Sequence, residues 1–368
     1  MAEIKEVVEL LKIEASRTYK LRVEKDNIFD TVIEYLLTDR CELQKIEVEF
    51  LVDGYTLPAH DTGGPTRQLW TLFFQECLDK SRGMFEGEHG GFLPISNERA
   101  LTEKWFYALG KAIVVSLVTG GPRFPYFTES CFSYLIDNQK SETTQFQHEL
   151  SGQVQLLIDK VKQSAGETDV RSITNQEQFN SLMQQINSNC KDIIKITDKI
   201  LFVQTVTKWF LVDKRKTAME QLKEGLNTFN FLDRTKLCPG LKSCLVRDTN
   251  FTPNEELITS RLLPKLGELS TRNEKEVEIK HFAATLLLAL KGDQAADLFE
   301  FMTGMRELPL DKDIELHIAF NQQSPDDTLP RAVTCGHLLL LPLGNADIKS
   351  FHRSFKLALE HRDYFGRI

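Results

Sequence analysis

The stretch Arg247-Asp248-Thr249-Asn250-Phe251-Thr252-Pro253-Asn254-Glu255 constrains this chain more than any other. It is rich in turn formers and poor in apolar residues, and a chain of 368 residues is too long for one compact core. A break here leaves two bodies of different make-up. Ahead of it the periodicity is helical almost throughout; behind it, a run of helices gives way to short strands and a closing helix.

In the first body, Ile4, Val7, Val8, Leu10, Leu11 and Ile13 recur at helical intervals, which predicts a leader helix within residues 1–20. A helix is expected at about Asn27–Leu37, and Ile46, Val48, Phe50 and Val52 alternate as in a strand. Asp61-Thr62-Gly63-Gly64-Pro65 then breaks the chain, with the proline suited to the first turn of a helix carrying Leu69, Trp70, Leu72, Phe73 and Phe74. Strand, glycine turn and helix in succession suggest a phosphate loop, but the glycine spacing and the Gly-Lys-Ser/Thr ending are missing. Gly90, Gly91, Pro94 and Asn97 mark a loop before helices at Lys104–Val118 and Phe127–Ile136. From about Asp137 to Lys195 the composition shifts toward Gln, Ser, Asn and Thr, which predicts peripheral helix with a thin apolar face. Helices at Thr197–Leu211 and Ala218–Leu226 complete this body.

Beyond the break, helices are expected at Leu257–Leu269, Glu276–Leu290 and Ala295–Met302, strands near Ile314–Phe320 and at Cys335, and a last helix from Asn345 or Asp347. The fold class that follows is α+β: a mostly helical N-terminal lobe with short β elements and a smaller α/β C-terminal lobe.

Composition narrows the function. The net charge is −8 and no block of Lys or Arg forms a stripe, which argues against nucleic acid as a partner. The longest apolar runs, Phe282–Leu290 and Leu338–Leu343, are far short of a membrane span, so no membrane role is expected. Residues 1–16 interleave acids and lysines with apolar residues, unlike the core of a signal peptide. Seven cysteines stand singly, with no Cys-x-x-Cys pair, which predicts free thiols and a cytoplasmic or nuclear setting. Asn250-Phe251-Thr252 is therefore discounted as a glycosylation acceptor. Cys238 and Cys244, with no histidine nearby, make no zinc half-site, and neither metal nor cofactor is expected.

One cysteine stands out. Leu329-Pro330-Arg331-Ala332-Val333-Thr334-Cys335 is followed by Gly336-His337, four leucines and Pro342. Cysteine is the common side chain whose anion is both accessible near neutral pH and strongly nucleophilic. On its own, a cysteine beside four leucines reads as a small buried hydrophobe. His337 invites a Cys–His dyad, because residues i and i+2 share a strand face, yet a lone histidine there also reads as structural. His352 and His361 fall on solvated positions of the last helix. A papain-type hydrolase is disfavoured, since its cysteine comes early and its histidine far downstream.

Taken together, the motifs resemble the HECT-type ubiquitin ligase domain from about Arg22 to Ile368. The most specific match is Leu329-Pro330-x-Ala332-x-Thr334-Cys335 with Leu339, Leu341 and Pro342 after it. Phe301-x-Thr303-Gly304 with Pro309, the Asp61-x-Gly63-Gly64-x-x-Arg67 element, Leu222 with Gly225-Leu226, and Phe365 fourth from the end also resemble the family in order and spacing. Val333, Gly336 and Gln68 depart from it, where many members have histidine, phenylalanine and an acid. Residues 137–195, where the family docks its conjugating enzyme, are shorter and more polar than usual, so no docking residue is carried over.

The resemblance implies a bilobal fold: a first lobe over 21–248, containing a reduced docking subdomain at 137–195, a hinge at 249–255 and a catalytic lobe over 256–368. It implies that Cys335 accepts ubiquitin from a conjugating enzyme as a thioester and passes it to a lysine of a protein substrate, with Thr334 and Phe365 positioning the thioester. Gly63, Gly64 and Arg67 are expected to be architectural, the glycines for the turn and the arginine as an ion-pair partner or carbonyl cap. The competing expectation is a weak or inactive HECT-like scaffold that binds ubiquitin-pathway proteins.

Overall fold

The computed structural model describes residues 17–38, 44–52, 55–56, 63–88, 91–137, 143–186, 199–309 and 313–361. The leader segment 4–16, Asp61 and Phe365 lie outside them. The chain divides into two units, one taking in Met1–Leu78, Lys111–Phe124 and Asp248–Ile368, the other Asp79–Gly110 and Pro125–Arg247. The fold is α+β, as the sequence predicts. No helix of the described residues is long and apolar enough to cross a membrane.

The first unit opens with a strand, Arg17–Glu24, parallel to Gln44–Val52, which also pairs antiparallel with Tyr55–Thr56. This corrects the reading of residues 17–20 as part of the leader helix. Alternation explains the strand: Leu21 and Val23 are buried, while Lys20 and Arg22 reach across to Glu49 at 3.2 and 3.0 Å. Helices Ile28–Leu36 and Gly64–Leu78 cover the sheet's vicinity with aromatic packing, Phe29 stacking on Phe73 at 5.8 Å between ring centroids. The Lys111–Val118 part of helix Trp105–Val118 belongs here and is buried through Ala112, Ile113, Val114 and Leu117.

Later in the same unit, helices Glu255–Glu268, Glu274–Ala289 and Asp293–Thr303 precede a three-stranded sheet. Leu338–Leu341 is its central strand, parallel to His317–Phe320 and antiparallel to Arg331–Val333. The four leucines alternate: Leu339 and Leu341 enter a core with Phe299, Phe301 and Phe351, and Leu338 and Leu340 are half-buried. Short polar caps fix the helix starts. Asn254, Asn273 and Asp347 accept from Leu257, Glu276 and Ser350 backbone N–H groups at 2.8, 2.9 and 2.8 Å. Asp347, not Asn345, starts the last helix, Ile348–Glu360.

In the second unit, Phe85–Glu88 and Gly91–Pro94 form an antiparallel hairpin where the sequence reads as a loop. The reason is close approach: Gly87 and Gly91 have φ of 135° and 147°, and a Cβ on Gly87 would collide with Gly91. Arg215 ties the hairpin to the helical part, donating to the Pro94 and Phe210 carbonyls at 2.7 and 2.8 Å and pairing with Glu86. The polar segment does form helices, Gly152–Gln163, Glu167–Thr174 and Glu177–Gln185, whose thin stripe is buried at Val154, Leu157, Ile158, Val161, Phe179 and Met183. Phe179 stacks on Phe202 of helix Lys199–Leu211 at 5.8 Å.

Candidate active site

Between the paired strands Arg331–Val333 and Leu338–Leu341, Thr334-Cys335-Gly336 make a single turn of 3₁₀ helix. His337 closes it in the left-handed region at φ 48°, its N–H donating to the Thr334 carbonyl at 3.4 Å. Cys335 therefore sits at a turn tip and not in a strand. The shared-face argument for a Cys–His dyad falls with that, because alternation does not run through a tight turn. Thr334 is buried, Cys335 half-buried, and the other described cysteines, 77, 131, 238 and 244, are buried. At Cys131 burial pushes the thiol far above its ordinary range. Cys335 is the one described thiol that is not buried.

The turn rests on helix Gly64–Leu78, and three polar side chains spaced four apart on that helix hold the surroundings of the cysteine. Arg67 donates from Nη2 to the Thr334 carbonyl at 2.7 Å and from Nε to the Thr303 carbonyl at 3.0 Å. Thr71 donates to the Gly304 carbonyl at 2.5 Å, and Gln75 Nε2 donates to Glu300 at 3.3 Å. Glu300 is fully buried and also pairs with Arg306 at 3.2 Å. The carbonyl-cap expectation for Arg67 is thus met twice over.

Glycine is needed where helix and turn touch. A Cβ on Gly64 would lie 2.7 Å from Cys335 Sγ and 2.9 Å from its backbone N, and closer still to Thr334 Oγ1. Gly304 takes φ 77° to end helix Asp293–Thr303, while Thr303 Oγ1 accepts from Met305 N–H at 3.1 Å, so Phe301-x-Thr303-Gly304 is a helix stop with a side-chain brace. Gly336 is different: a Cβ there would meet nothing within 4 Å.

Burial, aided by the nearby charges of Arg67 and His317, brings the His337 imidazole down to about 4, so it is neutral at pH 7. Its Nδ1 lies 3.2 Å from the Glu315 carbonyl, and Nε2 is buried with no hydrogen-bond partner. The departure at Gln68 leaves a similar mark, a buried Nε2 with no partner. His352 is half-buried, also with an orphaned Nε2, which corrects its reading as a solvated position; His361 is exposed as expected. His352 lines an apolar groove of about 460 Å³ between Leu286, Leu290, Phe355 and Leu359.

The structure thus brings Thr334 and Cys335 together with Gly64 and Arg67, from the opposite end of the sequence, and with Thr303-Gly304. Thr71 and Gln75 were missed. Their signal is present, since they continue the four-residue spacing of Arg67 along one face of the helix, but alone such residues read as solvated.

The model of the HECT-domain (ubiquitin-transferase) family matches residues 71–367. The chain is 22% identical over 356 residues to the human G2/M phase-specific E3 ubiquitin-protein ligase, covering 94% of this chain and 47% of that one. It is 22% identical over 352 residues to the Gallus gallus protein of that name (94% and 45%), and 22% over 298 residues to the Macaca fascicularis one (80% and 40%). The chain spans less than half the length of these curated relatives.

Proposed function

The chain belongs to the HECT-domain (ubiquitin-transferase) family, and on that premise we propose that it is a ubiquitin ligase whose Cys335 carries the acyl group. The observation that supports this reading is the placement of Cys335, half-buried at a turn tip within the Thr334-Cys335 motif while the other described thiols are buried. The Cys335 thiolate attacks the thioester carbonyl carbon joining ubiquitin's C-terminus to a conjugating enzyme. The tetrahedral adduct then collapses, expelling the conjugating enzyme's thiolate. Exchange between thioesters is nearly isoenergetic, so access and thiolate character matter more than a strong base. In the second step a neutral lysine amine attacks the new thioester, Cys335 thiolate leaves and the amine proton passes to a base. Neutral His337 supplies no imidazolium at pH 7 to pair with the thiolate.

In this reading Thr334 and Phe365 position the thioester, residues 249–255 are the hinge, and 256–368 form the catalytic lobe. Residues 21–248 are the first lobe and meet the conjugating enzyme through 137–195. Ubiquitin, a conjugating enzyme and protein substrates are the partners, in a cytoplasmic or nuclear setting. The test is incubation with activating enzyme, a panel of conjugating enzymes and ubiquitin. The expected result is a reductant-sensitive adduct that Cys335→Ala removes. Absence of such an adduct with every conjugating enzyme, with ubiquitin-pathway proteins still bound by Cys335→Ala, would identify a scaffold instead.

A further inference from the structure

We propose that Arg67 is a positioning residue for Cys335, setting the turn that carries the thiol by bridging the Thr303 and Thr334 carbonyls with one guanidinium; for its catalytic consequence this rests on the transfer reading above. The two carbonyls belong to different elements. Thr303 ends helix Asp293–Thr303, and Thr334 opens the turn between two strands, its carbonyl belonging to the peptide group that contains the Cys335 nitrogen. Arg67 Nε and Nη2 reach them at 3.0 and 2.7 Å, so the planar fork fixes one turn relative to the other. Lysine offers a single charged point on a flexible stem and cannot reproduce that spacing.

A second contact, independent of the guanidinium, aligns with this. Gly64 begins the same helix and meets the thiol without a side chain, so the sulfur lies beside glycine backbone and is carried on the peptide that Arg67 holds. Thr71 repeats the link one helical turn later through the Gly304 carbonyl, so three hydrogen bonds join the helix face to the two turns. Reaction geometry is sensitive to displacements of about 1 Å, which cost up to about 100-fold in rate.

The experiment compares wild type, Arg67→Lys, Arg67→Ala and Thr71→Val in the full chain, with thermal unfolding measured for each. Two readouts are taken: the single-turnover rate of thioester formation as a function of conjugating-enzyme concentration, and the rate of Cys335 alkylation by iodoacetamide followed by mass spectrometry. Arg67→Lys is expected to lower the limiting rate between about tenfold and about 100-fold while leaving the half-saturating concentration unchanged, with no recovery relative to Arg67→Ala. Thr71→Val should move it in the same direction by less. Cys335 alkylation should change severalfold in both Arg67 variants, a shift that loss of general stability without unfolding would not produce. Wild-type rates and alkylation in Arg67→Lys overturn the proposal, as does a change confined to half-saturation. If wild type itself forms no thioester while alkylation still responds to Arg67→Lys, the transfer reading fails and the positioning of Cys335 stands.

Discussion

The Arg123 guanidinium lies 4.0 Å from the centroid of the Phe251 ring, and both residues bond Leu308, Arg123 Nε to its carbonyl at 3.2 Å and the Phe251 carbonyl to its N–H at 2.8 Å. Arg123 Nη2 also pairs with Glu307 at 3.2 Å, and its side chain is 1% exposed. A buried cation stacked on an aromatic face contributes about 2 kcal/mol, and removing one member of a buried pair costs about 3–5 kcal/mol. Arg123→Ala is therefore expected to destabilise the chain by about 3 kcal/mol or more in urea titration, and Phe251→Ala by a similar amount. A loss below about 1 kcal/mol for Arg123→Ala would contradict the contact.

Thr207, in helix Lys199–Leu211, is fully buried and its hydroxyl has no hydrogen-bond partner. Valine has the same shape and keeps β-branching, so it removes an unsatisfied polar atom without leaving a cavity. Thr207→Val should stabilise by about 1 kcal/mol in denaturant unfolding. Destabilisation by that variant would mean the hydroxyl has a partner.

The neutral state of His337 makes stability pH-dependent. Its folded value, about 4, lies below the ordinary 6.5, so the unfolded chain binds the proton more readily between those two values. The contribution is fully present above about pH 6.5 and is lost as pH falls toward 4. His337→Asn retains a residue that accepts the left-handed backbone and removes the titration. Comparing unfolding midpoints at pH 7, 5.5 and 4.5, wild type should lose more stability than the variant; parallel curves would show that the imidazole is not held neutral.

Much of this fold was legible because its elements carry their own punctuation. Asn254, Asn273 and Gly304 start or stop helices by local chemistry that a sequence states directly. The hairpin Phe85–Pro94 was not, because its glycines serve a close approach between strands and in sequence look like loop residues. Residues 17–20 read as part of a helical leader, since their strand character rests on pairing with Gln44–Val52, a partner no local window contains. At the site, Thr334-Cys335 and Phe301-x-Thr303-Gly304 could each be found as motifs. That Arg67 joins them is a long-range fact, set by hydrogen bonds spanning 236 and 267 residues.

Gly64 and Gly336 both neighbour Cys335, one in space and one in sequence, and alanine should distinguish them. At Gly64 the added methyl falls 2.7 Å from Cys335 Sγ and 2.9 Å from its backbone N, and the backbone atom cannot swing aside as a side chain can. Gly64→Ala is expected to cost about 1–3 kcal/mol in thermal or chemical unfolding, and to displace the thiol enough to slow its alkylation or adduct formation measurably. At Gly336 a methyl meets nothing within 4 Å and the backbone is not in the left-handed region. Gly336→Ala should leave stability unchanged or raise it by about 0.4–1 kcal/mol, by restricting the unfolded chain. Equal effects of the two substitutions would contradict the packing of helix Gly64–Leu78 against the cysteine turn.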